Sequence, residues 1–96
     1  MASGETRIRR TVYYEGRVQG VGFRYTTNNL ARDFHVVGQV KNLEDGRVEL
    51  VVEGPPDEIT KFLGKVSENL GRYIRNSQVV ESPATGQFAT FFIASN

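Results

Sequence analysis

The chain has no cysteine and no tryptophan, and only one histidine, one methionine and three prolines in 96 residues. Without cysteine there is no disulfide framework, no thiol nucleophile and no thiolate-bound zinc, and a single histidine leaves little material for an imidazole metal cluster. No apolar run approaches the roughly 20 residues that span a bilayer, so no membrane contact is expected. The opening MASGETRIRR carries positive charge but no apolar segment behind it, which does not read as a secretory signal, and residence in the cytoplasm is the expectation. Charge of one sign is lacking too. Twelve Lys and Arg against eleven Asp and Glu give a net charge of +1, and a pI of about 8 falls short of the value of roughly 9 that marks an electrostatic nucleic-acid binder. Any anion this protein holds must be held by a local site.

What is present is an ordinary globular composition: 39% hydrophobic residues, four tyrosines, six phenylalanines and 24% charged residues. The length suits one domain, so residues 1–8 are read as a flexible N-terminal tail and residues 9–96 as a single domain. There is no internal repeat and no low-complexity tract. Breaks fall at GRVQGVG, EDG, EGPP and SPATG.

Between those breaks the hydrophobic period alternates between two and 3.6. Residues 9–18 read as a strand with Val12 and Tyr14 on one side and Thr11, Tyr13 and Glu15 on the other. Phe23, Thr27, Leu30, Ala31 and Phe34 follow one helical face, which predicts a helix over 23–34. Residues 36–43 and 47–53 flank Asp45-Gly46, a turn pair that predicts an antiparallel hairpin, with Val48, Leu50 and Val52 on one face. Pro56, Asp57 and Glu58 suit a helix N-terminus, and Ile59, Phe62, Leu63, Val66 and Leu70 give an apolar stripe ending near Gly71. Two shorter strands are expected at 77–81 and 88–94. The order strand, helix, strand, strand, helix, strand, with one extra short strand, predicts an α+β fold: a ferredoxin-like split β-α-β sandwich with two helices on one face of an antiparallel sheet. Topology alone assigns no function.

The segment that carries chemistry is GRVQGVGFR, residues 16–24. Three glycines between the end of a strand and the first turn of a helix let the backbone curl until its N–H groups converge, and the helix adds its unpaired N–H groups and positive dipole end. Arg24, in that first turn, offers a planar guanidinium for two parallel hydrogen bonds to phosphate oxygens. The candidate phosphate-binding residues are therefore Gly16, Arg17, Val18, Gln19, Gly20, Val21, Gly22, Phe23 and Arg24.

GRVQGVGFR followed by GQVKNLEDGRVEL, residues 38–50, resembles the paired signature of the acylphosphatase family. Glu53-Gly54, the amphipathic second helix and the closing Phe88 to Ile93 pattern also fit, so the resemblance covers roughly residues 9–93. It implies that the loop is a phosphate cradle, that Arg24 is the substrate-binding arginine and that Asn42 orients the attacking water. It also implies that no metal and no cofactor take part. The implied reaction is hydrolysis of a small-molecule acyl phosphate to carboxylate and inorganic phosphate by direct in-line attack of water. Asn42 has no titratable group, so its implied role is hydrogen-bonded positioning rather than proton abstraction. Two positions depart from the family pattern: His35 stands where a glycine is usual, and Gln39 where an aromatic follows Gly38. At a helix C′ position His35 is expected to be strained, with no catalytic role.

The same residues admit other readings. Tyr13, Tyr14 and Phe23 as RNA-stacking platforms give way to core and cross-strand packing. Arg7, Arg9 and Arg10 read as a solvated tail, and Glu44, Asp45, Glu49 and Glu53 as a solvated edge rather than a metal site. With no apolar stripe left over, a monomer is expected. The alternative functions are a non-catalytic ferredoxin-like phosphate- or RNA-binding module, and an acylphosphatase-like domain recruited for carbamoyl-phosphate handling in a larger maturation protein or as a separate subunit of one.

Overall fold

The structure, a computed structural model, describes residues 6–95. Its elements are β1 (Ile8–Gly16), α1 (Phe23–Ala31), β2 (Val37–Asn42), β3 (Val48–Gly54), α2 (Pro56–Leu70), a short 3₁₀ turn (Gly71–Tyr73), β4 (Ile74–Pro83) and β5 (Phe91–Ile93). Strand order is β4-β1-β3-β2-β5. The first four strands are antiparallel throughout, in the expected ferredoxin-like order. β5 differs, since its three residues run parallel to β2, which makes the sheet mixed rather than antiparallel.

Cross-strand register divides the sheet into two faces. Val12 and Val40 both stand opposite Leu50, and Tyr14 and Asn42 both stand opposite Val48, so these residues share a face. That face is buried under the helices: Val12, Tyr14, Val40, Val48, Leu50 and Val52 pack with Phe23 and Ala31 of α1 and with Ile59, Phe62, Val66 and Leu70 of α2. Complete burial of such side chains stabilises by about 1.5–3 kcal/mol each, which makes this layer the main support of the fold. Tyr14 lies 5.1 Å from Phe23 between ring centroids, and Phe62 meets Phe91 edge-on at 5.5 Å, so the tyrosine and phenylalanines are core residues.

The opposite face carries Arg9 against Glu53, Thr11 against Val51 and Tyr13 against Glu49. Here the structure corrects the expectation of a solvated acidic edge. β3 is the central strand, and Glu53 is 1% exposed. Its carboxylate accepts hydrogen bonds from Arg9 Nε (2.7 Å), the Thr85 hydroxyl (2.8 Å), the Thr85 N–H (3.1 Å) and the Gly86 N–H (3.0 Å). Thr85 and Gly86, in the chain between β4 and β5, fold over Glu53. Arg9 and Arg10 are likewise strand residues, not tail: β1 begins at Ile8, and Arg10 reaches Glu81 on β4 and Thr60 on α2. Residues 1–5 of the expected tail lie outside the described residues.

The end of α1 brings a second correction. The helix closes at Ala31, and Arg32, Asp33 and Phe34 each donate to the carbonyl three residues back, so the chain leaves in a tightened right-handed turn. No non-glycine residue among those described has a positive φ, and His35 is therefore unstrained. Its N–H donates to the Glu58 carboxylate at 2.9 Å, tying the turn to the start of α2. β4 runs from 74 to 83, longer than expected, as an edge strand paired only to β1; Val79 and Val80 on it are 55% and 56% exposed, so apolar surface does remain.

Candidate active site

At the end of β1 the chain turns out of the sheet through a bulge between Glu15 and Gly16. A Cβ on Gly16 would stand 2.3 Å from the Tyr73 carbonyl oxygen, so only glycine lets the backbone pass. Gly22, at φ 81 and ψ 16, is the N-cap of α1, and the left-handed conformation delivers the chain into the helix without any side-chain cap. The first i→i−4 bond is Thr26 N–H to Gly22 carbonyl at 2.9 Å. The preceding N–H groups at the helix start have no intrahelical acceptor, and no acidic side chain occupies the first turn.

A cleft of about 180 Å³ opens at this helix end, lined on one side by Val18, Gly20, Gly22, Phe23 and Arg24. Asn42 closes the other side, with Ile93 and Tyr25 at the rim. The pleat explains how Asn42 arrives there: as the last residue of β2 it points to the helix-covered face, two residues beyond Val40. Its amide carbonyl oxygen is buried and has no hydrogen-bond partner. Arg24, half-buried, makes no side-chain hydrogen bond or ion pair among the described residues. A cation and a buried amide oxygen at one helix N-terminus, both without partners among the described residues, are groups with the chemistry to hold an oxyanion and a hydrogen-bonding small molecule such as water.

Not every sequence-predicted residue enters the cleft. Val18, Gly20, Gly22, Phe23, Arg24 and Asn42 line it, whereas Gly16, Arg17, Gln19 and Val21 stand outside that lining. The Arg17 N–H is already committed to the Tyr73 carbonyl at 2.9 Å. Val21 packs partly buried against the core, and the Gln19 side chain is directed to the β2–β3 turn, where Nε2 donates to the Leu43 and Arg47 carbonyls at 2.8 and 3.0 Å. Ile93 and Tyr25 are not among the residues expected in the site from the sequence. Ile93 could have been found only from its parallel pairing with Val40, while the exposure of Tyr25, at 67%, follows from its place just after Arg24 on the uncovered side of α1.

The open face of the sheet is a poor platform for RNA. Arg9 is paired to Glu53, Lys41 lies 3.9 Å from Glu49, and Tyr13 is covered by the Arg47 guanidinium at 4.9 Å. His35 lies beyond the far end of α1, a nine-residue helix about 13 Å long at roughly 1.5 Å of rise per residue. Gln39 faces away from the cleft, opposite Val51. No described helix is long and apolar enough to cross a membrane.

The model of the acylphosphatase family matches residues 10–93. The acylphosphatase of Arthrobacter sp. is 40% identical over 93 residues, which cover 94% of this chain and 82% of the relative. The crystal structure of acylphosphatase from Bacillus subtilis aligns with a TM-score of 0.83 at 34% identity, over 92% of this chain and 99% of that one. Full-length HypF in its phosphate- and nucleotide-bound form aligns with a TM-score of 0.82 at 26% identity, over 99% of this chain but 13% of HypF. Sequence and fold thus agree over nearly the whole chain, through the glycine-rich turn and the strand that carries Asn42, and the chain belongs to the acylphosphatase family, hydrolases that act on acyl phosphates.

Proposed function

We propose that the hydrolysis takes place in the cleft at the N-terminus of α1, with Arg24 gripping the phosphoryl group and Asn42 holding the attacking water. Unpaired N–H groups of the turn and of the first helical residues, together with the Arg24 guanidinium, surround the equatorial oxygens and stabilise the charge that develops on them. The Asn42 amide orients water opposite the leaving group. Water attacks phosphorus, the bond from phosphorus to the acyl oxygen breaks, and the carboxylate departs with that electron pair. The water proton passes to a phosphoryl oxygen, because neither Arg24 nor Asn42 is a base at neutral pH. Acyl phosphates have a good leaving group, so positioning and charge stabilisation suffice.

The observation that carries this reading is that Arg24 and Asn42 line one small cleft and that, among the described residues, neither the Arg24 guanidinium nor the buried Asn42 amide oxygen has a partner. The reading takes the substrate as a small acyl phosphate and residues 9–96 as one catalytic domain acting as a cytoplasmic monomer without metal or cofactor. Benzoyl phosphate hydrolysis in EDTA, compared among wild type, Arg24→Ala and Asn42→Ala after each is shown to be folded, tests it. Turnover that falls on the order of 100-fold or more in either variant is the expected result. Wild-type rates in a folded Arg24→Ala or Asn42→Ala protein would remove the corresponding role.

A further inference from the structure

The two halves of the cleft are carried by parts of the sheet that do not touch. β1, which feeds the glycine-rich turn, pairs with β3 and β4, whereas β2, which carries Asn42, pairs with β3 and β5. If the sheet alone set the distance between phosphate and water, it would do so through an intervening strand, and the turn itself has left the sheet. One side chain bypasses that route. Gln19 sits in the middle of the turn, and its Nε2 donates to the Leu43 carbonyl at 2.8 Å and the Arg47 carbonyl at 3.0 Å.

Those two carbonyls are not arbitrary. Leu43 follows Asn42 and Arg47 precedes Val48, while Asn42 and Val48 form the last pair of the β2–β3 register. The Leu43 N–H also donates to the Arg47 carbonyl at 2.8 Å. The Gln19 amide therefore closes the neck of the hairpin one residue beyond Asn42. A primary amide has two N–H donors, and both are engaged here; what remains on the side chain is a carbonyl oxygen, which repels phosphate oxygens rather than binding them.

We infer that Gln19 is a positioning residue whose side chain braces the glycine-rich turn against the β2–β3 hairpin, holding Asn42 and its water in line with the phosphorus. This inference rests on the roles proposed above for Arg24 and Asn42. Misplacing a reacting group by about 1 Å can slow a reaction by as much as 100-fold, so a brace of this kind acts on turnover rather than on phosphate affinity. Gln19 is exposed and outside the core, so its replacement leaves the fold intact.

Gln19→Met keeps the length of the side chain and removes both donors; Gln19→Glu keeps its shape and turns acceptors toward two carbonyls. Each is measured for kcat on benzoyl phosphate and for Ki of inorganic phosphate, with Gln19→Met also combined with Asn42→Ala and urea unfolding as the control for folding. The expected result is a kcat about tenfold lower for Gln19→Met and at least as low for Gln19→Glu, with Ki for phosphate within about twofold of wild type. In the Asn42→Ala background Gln19→Met changes kcat by less than about twofold, because the group it positions is gone. A wild-type kcat in Gln19→Met overturns the inference, as does a full tenfold loss on top of Asn42→Ala or a Ki that rises in step with the loss of rate. If instead Asn42→Ala alone keeps wild-type turnover, the proposed role of Asn42 fails and the brace fails with it, which is distinct from an active Gln19→Met beside an inactive Asn42→Ala.

Discussion

Two polar constellations lie on opposite faces of the same sheet, and their hydrogen-bond accounting is reversed. On the open face Glu53 is buried, and both of its oxygens are occupied by Arg9, Thr85 and Gly86. Burial pushes its carboxyl pKa up, but the hydrogen bonds from the Thr85 hydroxyl and N–H, from Arg9 and from the Gly86 N–H outweigh it and hold the group down at about 2. At the helix-covered face the Arg24 guanidinium of α1 and the Asn42 amide oxygen have no partner among the described residues. A buried polar group that is fully paired contributes to stability, and one left unpaired costs free energy that a ligand can recover. The first constellation ties the sheet to the segment after β4, and the second is the one proposed above to receive substrate.

That contrast breaks if substitutions on the two faces have the same effect. Arg24→Ala is expected to reduce kcat/KM by on the order of 100- to 1,000-fold while leaving the urea midpoint unchanged or slightly raised, since it removes a charge with no internal partner. Steady-state kinetics and equilibrium unfolding on the same sample check both halves. Asn42→Ala is expected to lower kcat by about 100-fold with Ki for inorganic phosphate near the wild-type value, separating water positioning from phosphate binding.

Glu53→Gln is expected to do the reverse, destabilising by about 3 kcal/mol because Arg9 and the Thr85–Gly86 segment lose a charged acceptor, with KM unchanged. The pH dependence sharpens this. A carboxyl whose folded pKa lies near 2, below its ordinary 4.5, contributes its full stabilisation above pH 5 and loses it as pH falls from about 4.5 toward 2. The gap in unfolding free energy between wild type and Glu53→Gln should therefore be widest near pH 6 and narrow steadily down to pH 2.5, as read by urea titrations across that range. A gap independent of pH would show that Glu53 acts by packing and not as a charged acceptor.

Legibility in the sequence followed the range of the interactions. The glycine-rich turn, the uncapped start of α1 and Arg24 were readable because they are consecutive in the chain and their geometry is local. The succession of strands and helices along the chain followed from the hydrophobic periods. Asn42 was assigned from family resemblance, because nothing in its own neighbourhood says that a strand end will meet a turn some 20 residues earlier. Glu53 was misread for the same reason: alternation placed it opposite an apolar face, and the sequence does not reveal that a segment more than 30 positions later folds over it. The strain expected at His35 assumed that α1 ends on a left-handed residue, whereas bonds to the carbonyls three residues back close it with right-handed geometry. Gln19 reads as one more residue of the turn, and that its side chain is directed to the Leu43 and Arg47 carbonyls is a long-range fact the sequence does not carry.

The smallest expected effect concerns the acyl end of the substrate, where the cleft changes character. Parallel pairing of Val40 with Ile93 puts the Ile93 side chain on the helix-covered face, beside the strand end that carries Asn42. Ile93 remains 39% exposed at the cleft rim, with Tyr25 on the other side. In the binding mode proposed above, the acyl group lies toward Ile93 and Tyr25. Ile93→Ala removes methylene surface worth about 0.8 kcal/mol per fully buried group, and with partial burial the expected loss is about three- to fivefold in kcat/KM for benzoyl phosphate. Acetyl phosphate, whose methyl group is too short to cover the rim, should lose less than about twofold. The ratio of the two specificity constants is the quantity to measure: a ratio that falls assigns Ile93 to the acyl group, whereas equal losses on both substrates mean that Ile93 only supports the strand end on which Asn42 sits.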